Sequence, residues 1–467
     1  MASPYPQASL DNKSFESDMT LATTNTILKS DDEKAYSLSD VGSGASSAAG
    51  IDFPDGGLRA WMVVFGCTCG AFATFGYLNA WGVFQAYYEE NTLSNVSTSS
   101  IAWIGSIQNA FIFLPGLVTG RMFDMGYLRL PVAIASVVLI MATFLTAQCT
   151  QYWHFLLCQG FTTGMASGVV FGPMIGVLAH WFKRRKSVAI ALASLGSAIG
   201  GIVFPIVARN LIPKVGFAWT MRILGFIQLG ALITTNLTLA RRLPINPSTS
   251  SLIDLRAFRE PAYTVYCAAV FLGFLGFTTL MTYIDVSAVS VGVSPSFAFY
   301  LVSLVNTGSA VGRLIGGVVA DRIGAVNVNA PMSLVAVATT FAWPFARTKG
   351  EFIAIAIIFG LAWGNFNTLI FSPVVELSKV EDVGTRLGMF MTILACGSVL
   401  GPPISGAIRE HAGTYVPVAG FAGTYGVGSD GMQANVWRLF AGGMIAASVC
   451  LFVVVRYLVL RRWRGRF

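Results

Sequence analysis

From residue 61 onward the chain repeats one pattern, a run of about 20 apolar residues followed by a short polar or basic link. A helix of that length crosses the ~30 Å hydrocarbon core of a bilayer. The runs fall at 61–84, 101–122, 130–149, 155–180, 187–208, 219–240, 262–284, 297–319, 328–346, 352–376, 386–408 and 436–459. They are continuously apolar and do not alternate, which selects helices over barrel strands, because a helix satisfies its own backbone in lipid. The pattern predicts an all-α membrane protein of twelve transmembrane helices.

Charge orients the pattern. The links after even-numbered runs, with the C-terminal end, hold Arg121, Arg129, Lys183 to Lys186, Arg241, Arg242, Arg256, Arg259, Arg322, Lys379, Arg386, Arg456, Arg461, Arg462, Arg464 and Arg466. The opposite side holds only Arg209, Lys214, Arg222, Arg347, Lys349, Arg409 and Arg438. Basic loops stay in the cytoplasm, so both termini are expected there. Hydrophobic residues make up 54% of the chain and charged ones 11%, against ~25% charged in a soluble domain, which excludes a water-soluble enzyme. The net charge of +8 sits in loops between apolar runs and does not call for nucleic acid. A lipid bilayer is the surrounding partner, and a monomer is expected. Seven Cys and three His are scattered without metal spacing, so no cofactor or metal is expected.

The remaining segments complete the layout. Residues 1–54 are rich in Ser, Thr and Asp, lack the apolar core of a signal peptide, and are expected to form a disordered cytoplasmic tail. Residues 241–260 form a polar cytoplasmic linker, 409–435 a Gly-rich external loop, and 461–467 a basic cytoplasmic tail. Asn95-Val96-Ser97 is a glycosylation sequon on the expected outer side, in a loop short enough that an unmodified Asn95 is the default; Asn236-Leu237-Thr238 lies in a span.

The two halves, 55–240 and 261–460, repeat. Gly160-x3-Gly164 before Phe171-Gly172-Pro173 returns 200 residues later as Gly360-x3-Gly364 before Phe371-Ser372-Pro373. Gly196-Ser197-x-x-Gly200 returns as Gly397-Ser398-x-x-Gly401, and Gly120-x3-Asp124 as Gly317-x3-Asp321. Paired six-helix bundles joined by one polar linker form a rocker, with substrate at the midplane between them. Helix packing is the ordinary role for each Gly.

Two segments carry a family resemblance. Asp55-Gly56-Gly57-Leu58-Arg59-Ala60-Trp61 leads into the first helix, and Trp181-Phe182-Lys183-Arg184-Arg185-Lys186-Ser187-Val188-Ala189 leads into the fifth. With Gly120-Arg121-x-x-Asp124-x-Gly126 and Asp321-Arg322-x-Gly324, they resemble the major facilitator superfamily, and within it the monocarboxylate porters, especially fungal members. Ala191 stands where that family usually has Gly. The resemblance implies two pseudo-symmetric six-helix bundles that transport by alternating access.

Arg313 is the sharpest chemical signal. It lies eight residues before Asp321, about 12 Å of helix from the cytoplasmic end, too deep to snorkel fully. Such a charge costs at least ~2.5–3.5 kcal/mol in lipid and should face the bundle interior. A guanidinium there can hold a carboxylate bidentately, or else be tied to helix-end carbonyls or an acidic neighbour. The resemblance aligns Arg313-x-x-x-Gly317 with the helix-eight Arg that porters use for substrate. Where proton-coupled animal members carry a carboxylate, this chain has Ser309, and where they carry a Lys in helix one it has Asn79. Neither replacement can carry a proton at neutral pH, so symport by the animal mechanism is not expected. Asp285 is the best remaining carboxylate, with a solvated helix end as its plainer role.

Other polar residues inside spans complete the candidate pocket: Asn79, Tyr77, Asn306, Ser309, Tyr283, Trp363 and Asn365, with Gln108, Asn109, Gln159, Thr279 and Asn367 as further possibilities. Interhelical hydrogen bonding, at ~0.6–2 kcal/mol each, is the ordinary alternative for all of them. Asp124 and Asp321, beside Arg121 and Arg322, are expected to make the inter-helix ion pairs that hold the outward-open state, with plain orientation signalling by those Arg as the alternative. The expected function is secondary active transport of an organic acid or amphipathic metabolite across a fungal plasma membrane, by efflux, with proton coupling open. Import of a monocarboxylate or vitamin is the alternative, and a non-transporting receptor on the same scaffold a third. No nucleotide-binding loop argues for an ATP-driven pump, and no nucleophile–base cluster for an enzyme.

Overall fold

The computed structural model describes residues 55–242, 253–378, 382–412 and 440–460, with the backbone alone at 290, 401–403, 405–412 and 440. The expected N-terminal tail, half of the linker, most of the Gly-rich loop, Lys379 and the basic C-terminal tail lie outside these residues. Helices dominate, and the described residues contain no strand.

Ten helical segments and one long helix among the described residues are long and apolar enough to cross a membrane. They are α1 (Leu58–Thr92), α2 (Thr98–Asp124), α3 (Arg129–Thr146), α4 (Tyr152–Trp181), α7 (Pro261–Ser290), α8 (Pro295–Ile323), α9 (Ala325–Phe345), α10 (Lys349–Glu376), α11 (Val383–Ala412) and α12 (Phe440–Leu460). The long one, Lys186–Thr238, runs 53 residues, or about 80 Å if straight, more than twice a bilayer. Gly216, at φ 79° and ψ 164°, reverses it into α5 (186–215) and α6 (217–238). Only a residue without Cβ takes that conformation cheaply. Among the described residues the count is therefore twelve candidate crossings, as the apolar pattern predicts.

Local chemistry fixes the ends. Thr348 and Glu351 form a reciprocal capping box at the start of α10, with Thr348 N–H donating to Glu351 Oε2 at 3.1 Å. Gly324, at φ 99°, separates α8 from α9. Pro261 and Pro295 occupy first-turn positions of α7 and α8, where no intrahelical donor is lost. Both α1 and α4 contain π-helical turns, at Phe72–Gly76 and Leu156–Thr162. In the first, the Ala73 carbonyl accepts from Gln228 Nε2 of α6 at 3.1 Å, and Gln228 Oε1 accepts from Thr143 of α3 at 2.8 Å. That chain of bonds ties three helices of one half together in a setting without water.

The outer surface is greasy. Val137, Phe226 and Leu237 are 56%, 58% and 79% exposed, positions that suit lipid and not water. Inside each half, glycine sets the spacing. Gly160, Gly164 and Gly168 of α4 lie against the backbone of α2 at Ile104, Gln108 and Ile112. Gly360 and Gly364 of α10 lie against α8 at Val305 and Ser309. The repeated motif is thus the same helix contact built twice, α4 on α2 and α10 on α8. A methyl group on Gly364 would collide with the Ser309 carbonyl, which is backbone and cannot swing aside. Gly364→Val should therefore destabilise the detergent-solubilised protein by about 1–3 kcal/mol, visible as a lower Tm in a thermal unfolding scan; an unchanged Tm would contradict this packing.

Candidate functional site

The halves meet along α5 and α8. Small residues let these helices approach, with Gly317 of α8 against Ala191 and the Ser187 carbonyl of α5. Arg313 sits one turn further in, 7% exposed. Its Nε donates to Ser309 Oγ at 3.2 Å, and its Nη1 crosses the seam to the Ser194 carbonyl at 3.1 Å. Ser194 Oγ is in turn 3.0 Å from Thr368 Oγ1 of α10. Nη2 makes no hydrogen bond, and no carboxylate pairs with Arg313 among the described residues. A buried guanidinium satisfied only in part, by neutral acceptors, keeps its capacity to bind an anion.

About two turns of helix further from the linker end than Arg313, two amides converge on α5. Asn306 Oδ1 and Asn79 Nδ2 lie 2.8 and 2.9 Å from the point where a methyl on Gly201 would sit. Asn79 Nδ2 also faces the Ser197 carbonyl at 3.5 Å, and Asn306 Nδ2 donates to Val302 O at 3.1 Å. The structure therefore brings Arg313, Ser309, Asn306 and Asn79 together along one polar strip on α5. Ser194, Ser197 and Thr368 join that strip although the sequence reading passed over them. Hydroxyls are common on membrane helices and usually bond their own carbonyls, so their spacing alone does not mark a site.

Other candidates turn elsewhere. Asn365 donates to Asn329 Oδ1 of α9 at 3.2 Å and packs against Gly316, so it ties α8, α9 and α10 within one half. Tyr77 is 1% exposed, its hydroxyl unbonded, and its ring packs against Phe84 and Phe204. Trp363 stacks among Phe274, Phe277 and Phe366 in the C-terminal half. Tyr283, part-buried, lies toward the far end of α7. Gln159 accepts from the Tyr88 hydroxyl at 2.5 Å inside the N-terminal half. Sequence could not separate these amides and rings from the strip, because every face of such helices is apolar enough to be buried.

At the linker end, two carboxylates join the halves through backbone N–H groups. Asp124 of α2 accepts from the N–H groups of Gly384 and Thr385 at 3.0 and 2.8 Å, and from the Thr385 hydroxyl at 3.0 Å. Asp321 of α8 accepts from the N–H groups of Ser187 and Val188 at 2.8 and 3.1 Å. Each therefore caps the N-terminus of a helix in the other half, α11 and α5. Free N–H groups and the positive end of the helix dipole give a carboxylate there directed bonds. Gly120 and Gly317, one turn before each Asp, allow the approach: Gly120 lies on Gly384 and Gly317 on Ser187 and Ala191. Lys186 adds a bridge to Glu376 of α10 at 3.0 Å.

The two signature segments meet beside this contact. Asp55 Oδ1 accepts from the N–H groups of Lys183 and Arg184 at 2.6 and 2.7 Å, and the Trp61 ring lies 5.1 Å from that of Phe182. Asp55 itself has φ 48°, and Gly56 and Gly57, the latter at φ 89°, carry the chain into α1. The start of α1 thereby holds the start of α5. Glu260, just before α7, does the same for α11 through a bidentate bridge to Arg386 at 2.7 and 2.8 Å. Asn95 is exposed, and the sequon hydroxyl of Ser97 caps α2 through the Ser100 N–H at 3.2 Å.

The sequence matches the Major Facilitator Superfamily over residues 63–376 and 266–465. The aspyridones efflux protein of Emericella nidulans is 36% identical over 372 residues, covering 79% of this chain and 76% of that protein. The riboflavin transporter of Saccharomyces cerevisiae is 31% identical over 384 residues, covering 76% and 73%. Among solved structures, the transporter FucP in its outward conformation superposes with a TM-score of 0.63 at 15% identity, covering 85% of this chain and 99% of that one. The human organic anion transporter MFSD10 gives 0.60 at 14% identity, covering 86% and 98%. At such identities these two structures share the fold alone.

The caps yield a direct expectation. Each charge-assisted bond is worth ~1.5–3 kcal/mol, so Asp124→Ala should speed amide exchange at Gly384 and Thr385 by about tenfold or more. Asp321→Ala should do the same at Ser187 and Val188. Hydrogen-exchange mass spectrometry reads both, and unchanged protection would show that the caps hold nothing.

Proposed function

The chain belongs to the major facilitator superfamily, whose members are transporters and not enzymes, and from that premise we propose that it exports an organic metabolite bearing a carboxylate. The observation that carries this reading is Arg313: buried, at the seam between halves, bonded across it only to a neutral carbonyl. A substrate carboxylate arriving between the halves can take the free Nη2 and replace the Ser194 carbonyl at Nη1. The bidentate pair so formed is stronger than the bonds it displaces. Hydroxyls of Ser309 and Thr368 and the amides of Asn79 and Asn306 suit further polar groups on the same molecule, while ring-rich surroundings suit its apolar part. The efflux name of the Emericella nidulans relative supports outward movement of such a molecule.

The cycle follows from the geometry at the linker end. There α2 meets α11 and α5 meets α8 through the capped N-termini, so this conformation is shut on that side. Breaking the caps of Asp124 and Asp321 opens it, and re-forming them shuts it behind the substrate. The basic residues at that end support a cytoplasmic position for it and for both termini, and the fungal origin of the relatives supports a fungal membrane, which this reading takes to be the plasma membrane. The Asp55 and Trp181–Ala189 segments support a position near the monocarboxylate porters. With Ser309 and Asn79 in place of ionisable groups, any proton coupling runs through other residues. Each protein forms a complete two-bundle pathway, consistent with a monomer.

Proteoliposome transport tests the anchor. With lipophilic carboxylic acids as substrates and an imposed pH gradient, Arg313→Ala should raise the half-saturating concentration about 10- to 100-fold, the loss expected for a charged hydrogen-bonding group. Arg313→Lys should restore part of it. Unchanged transport in Arg313→Ala would remove the anchor from the reading.

A further inference from the structure

Away from the seam, on the membrane-facing side of the C-terminal half, a cavity of about 560 Å³ opens where the end of α8, the start of α9 and the end of α12 meet. Its walls include Ile323, Pro331, Phe452 and Val453, with Asn327 and Arg456 as its polar members. Ile323 and Val453 are 48% and 42% exposed, so the cavity is open along its apolar side. Arg456 has no hydrogen-bond or ion-pair partner among the described residues, and its Nε is shut off from solvent without an acceptor. A buried donor of a charged group left unbonded is costly, and structures rarely leave it so.

We infer that this groove holds one anionic phospholipid, its phosphate on Arg456 and its acyl chains along Phe452, Val453 and Pro331. The position fits the ligand at both ends. Arg456 lies four residues before the end of α12, about 6 Å along the axis, the depth of a headgroup and not of the bilayer centre. Below it the wall is continuously apolar, which a free phosphate does not need and an acyl chain does. A guanidinium matches a phosphate diester in charge and in donor geometry. The linker end is also the basic end of the chain, and anionic lipids concentrate in the leaflet that faces basic cytoplasmic segments.

The test is native mass spectrometry of the full-length protein released from nanodiscs that contain phosphatidylserine and phosphatidylcholine. Wild type should retain one phosphatidylserine in preference to phosphatidylcholine. Arg456→Ala should reduce that retention about fivefold, the effect of one basic residue at an anionic surface. Val453→Trp, which fills the groove without touching the charge, should reduce it as well, and Arg129→Ala, an exposed basic residue of the other half, should leave it intact. A Tm equal to wild type shows that each variant is folded; if Arg456→Ala does not fold, Val453→Trp with Arg456→Lys decides, the first losing and the second keeping the lipid. Equal retention of phosphatidylcholine, undiminished retention in both groove variants, or displacement by millimolar inorganic phosphate would overturn the assignment, the last by showing an ion site without lipid.

Discussion

Two carboxylates seated on helix N-termini of the opposite half hold this conformation together. Asp124 on α11 and Asp321 on α5 are related by the internal repeat, and each depends on a glycine one turn earlier that lets the backbones touch. The N-termini they cap are themselves pinned from within their own half, α5 by Asp55 and α11 by Glu260 through Arg386. Carboxylate, glycine and pinned helix form one unit, built twice. Bonds of this type are worth a few kcal/mol each, enough to favour a closed end and weak enough for a ligand to reverse it. An ion pair between long side chains would tolerate sliding; a carboxylate on two successive N–H groups fixes register.

That register decides where Arg313 can reach. With α5 and α8 locked at Ser187 and Asp321, the Ser194 carbonyl stands opposite Arg313 and Gly201 opposite Asn306. The guanidinium is thereby kept in the seam, with Nε and Nη1 bonded and Nη2 without a partner among the described residues. The same contact that closes the linker end thus presents Arg313 to whatever lies between the halves. Coupling between gate and site needs no relay of distant residues, because both sit on the same pair of helices, two turns apart.

The division of labour between halves is uneven. In the N-terminal half, aromatic rings around Tyr77, Phe84, Tyr88 and Phe217 and the Gln228 bridge make a stiff block. In the C-terminal half, Asn365 and Asn329 hold α9 and α10 together behind Arg313. Amides that look alike in sequence therefore serve opposite ends: some brace a bundle so that it moves as a body, and a few face the partner bundle.

Sequence alone determined the twelve crossings, their approximate limits, the repeat and the depth of Arg313, because hydrophobic length and the cost of a buried charge are local properties of the chain. It also marked Gly120, Asp124, Gly317 and Asp321 as a unit, since their spacing repeats. Only the tertiary structure decided which backbone groups those carboxylates bind, because backbone N–H groups carry no signature in the sequence. It likewise decided which face of each helix meets the other half. Asn365 and Tyr77 turn inward and Asn306 and Ser194 turn to the seam for a reason that is geometric: in lipid both faces of a helix are apolar, and packing, not polarity, sets its rotation.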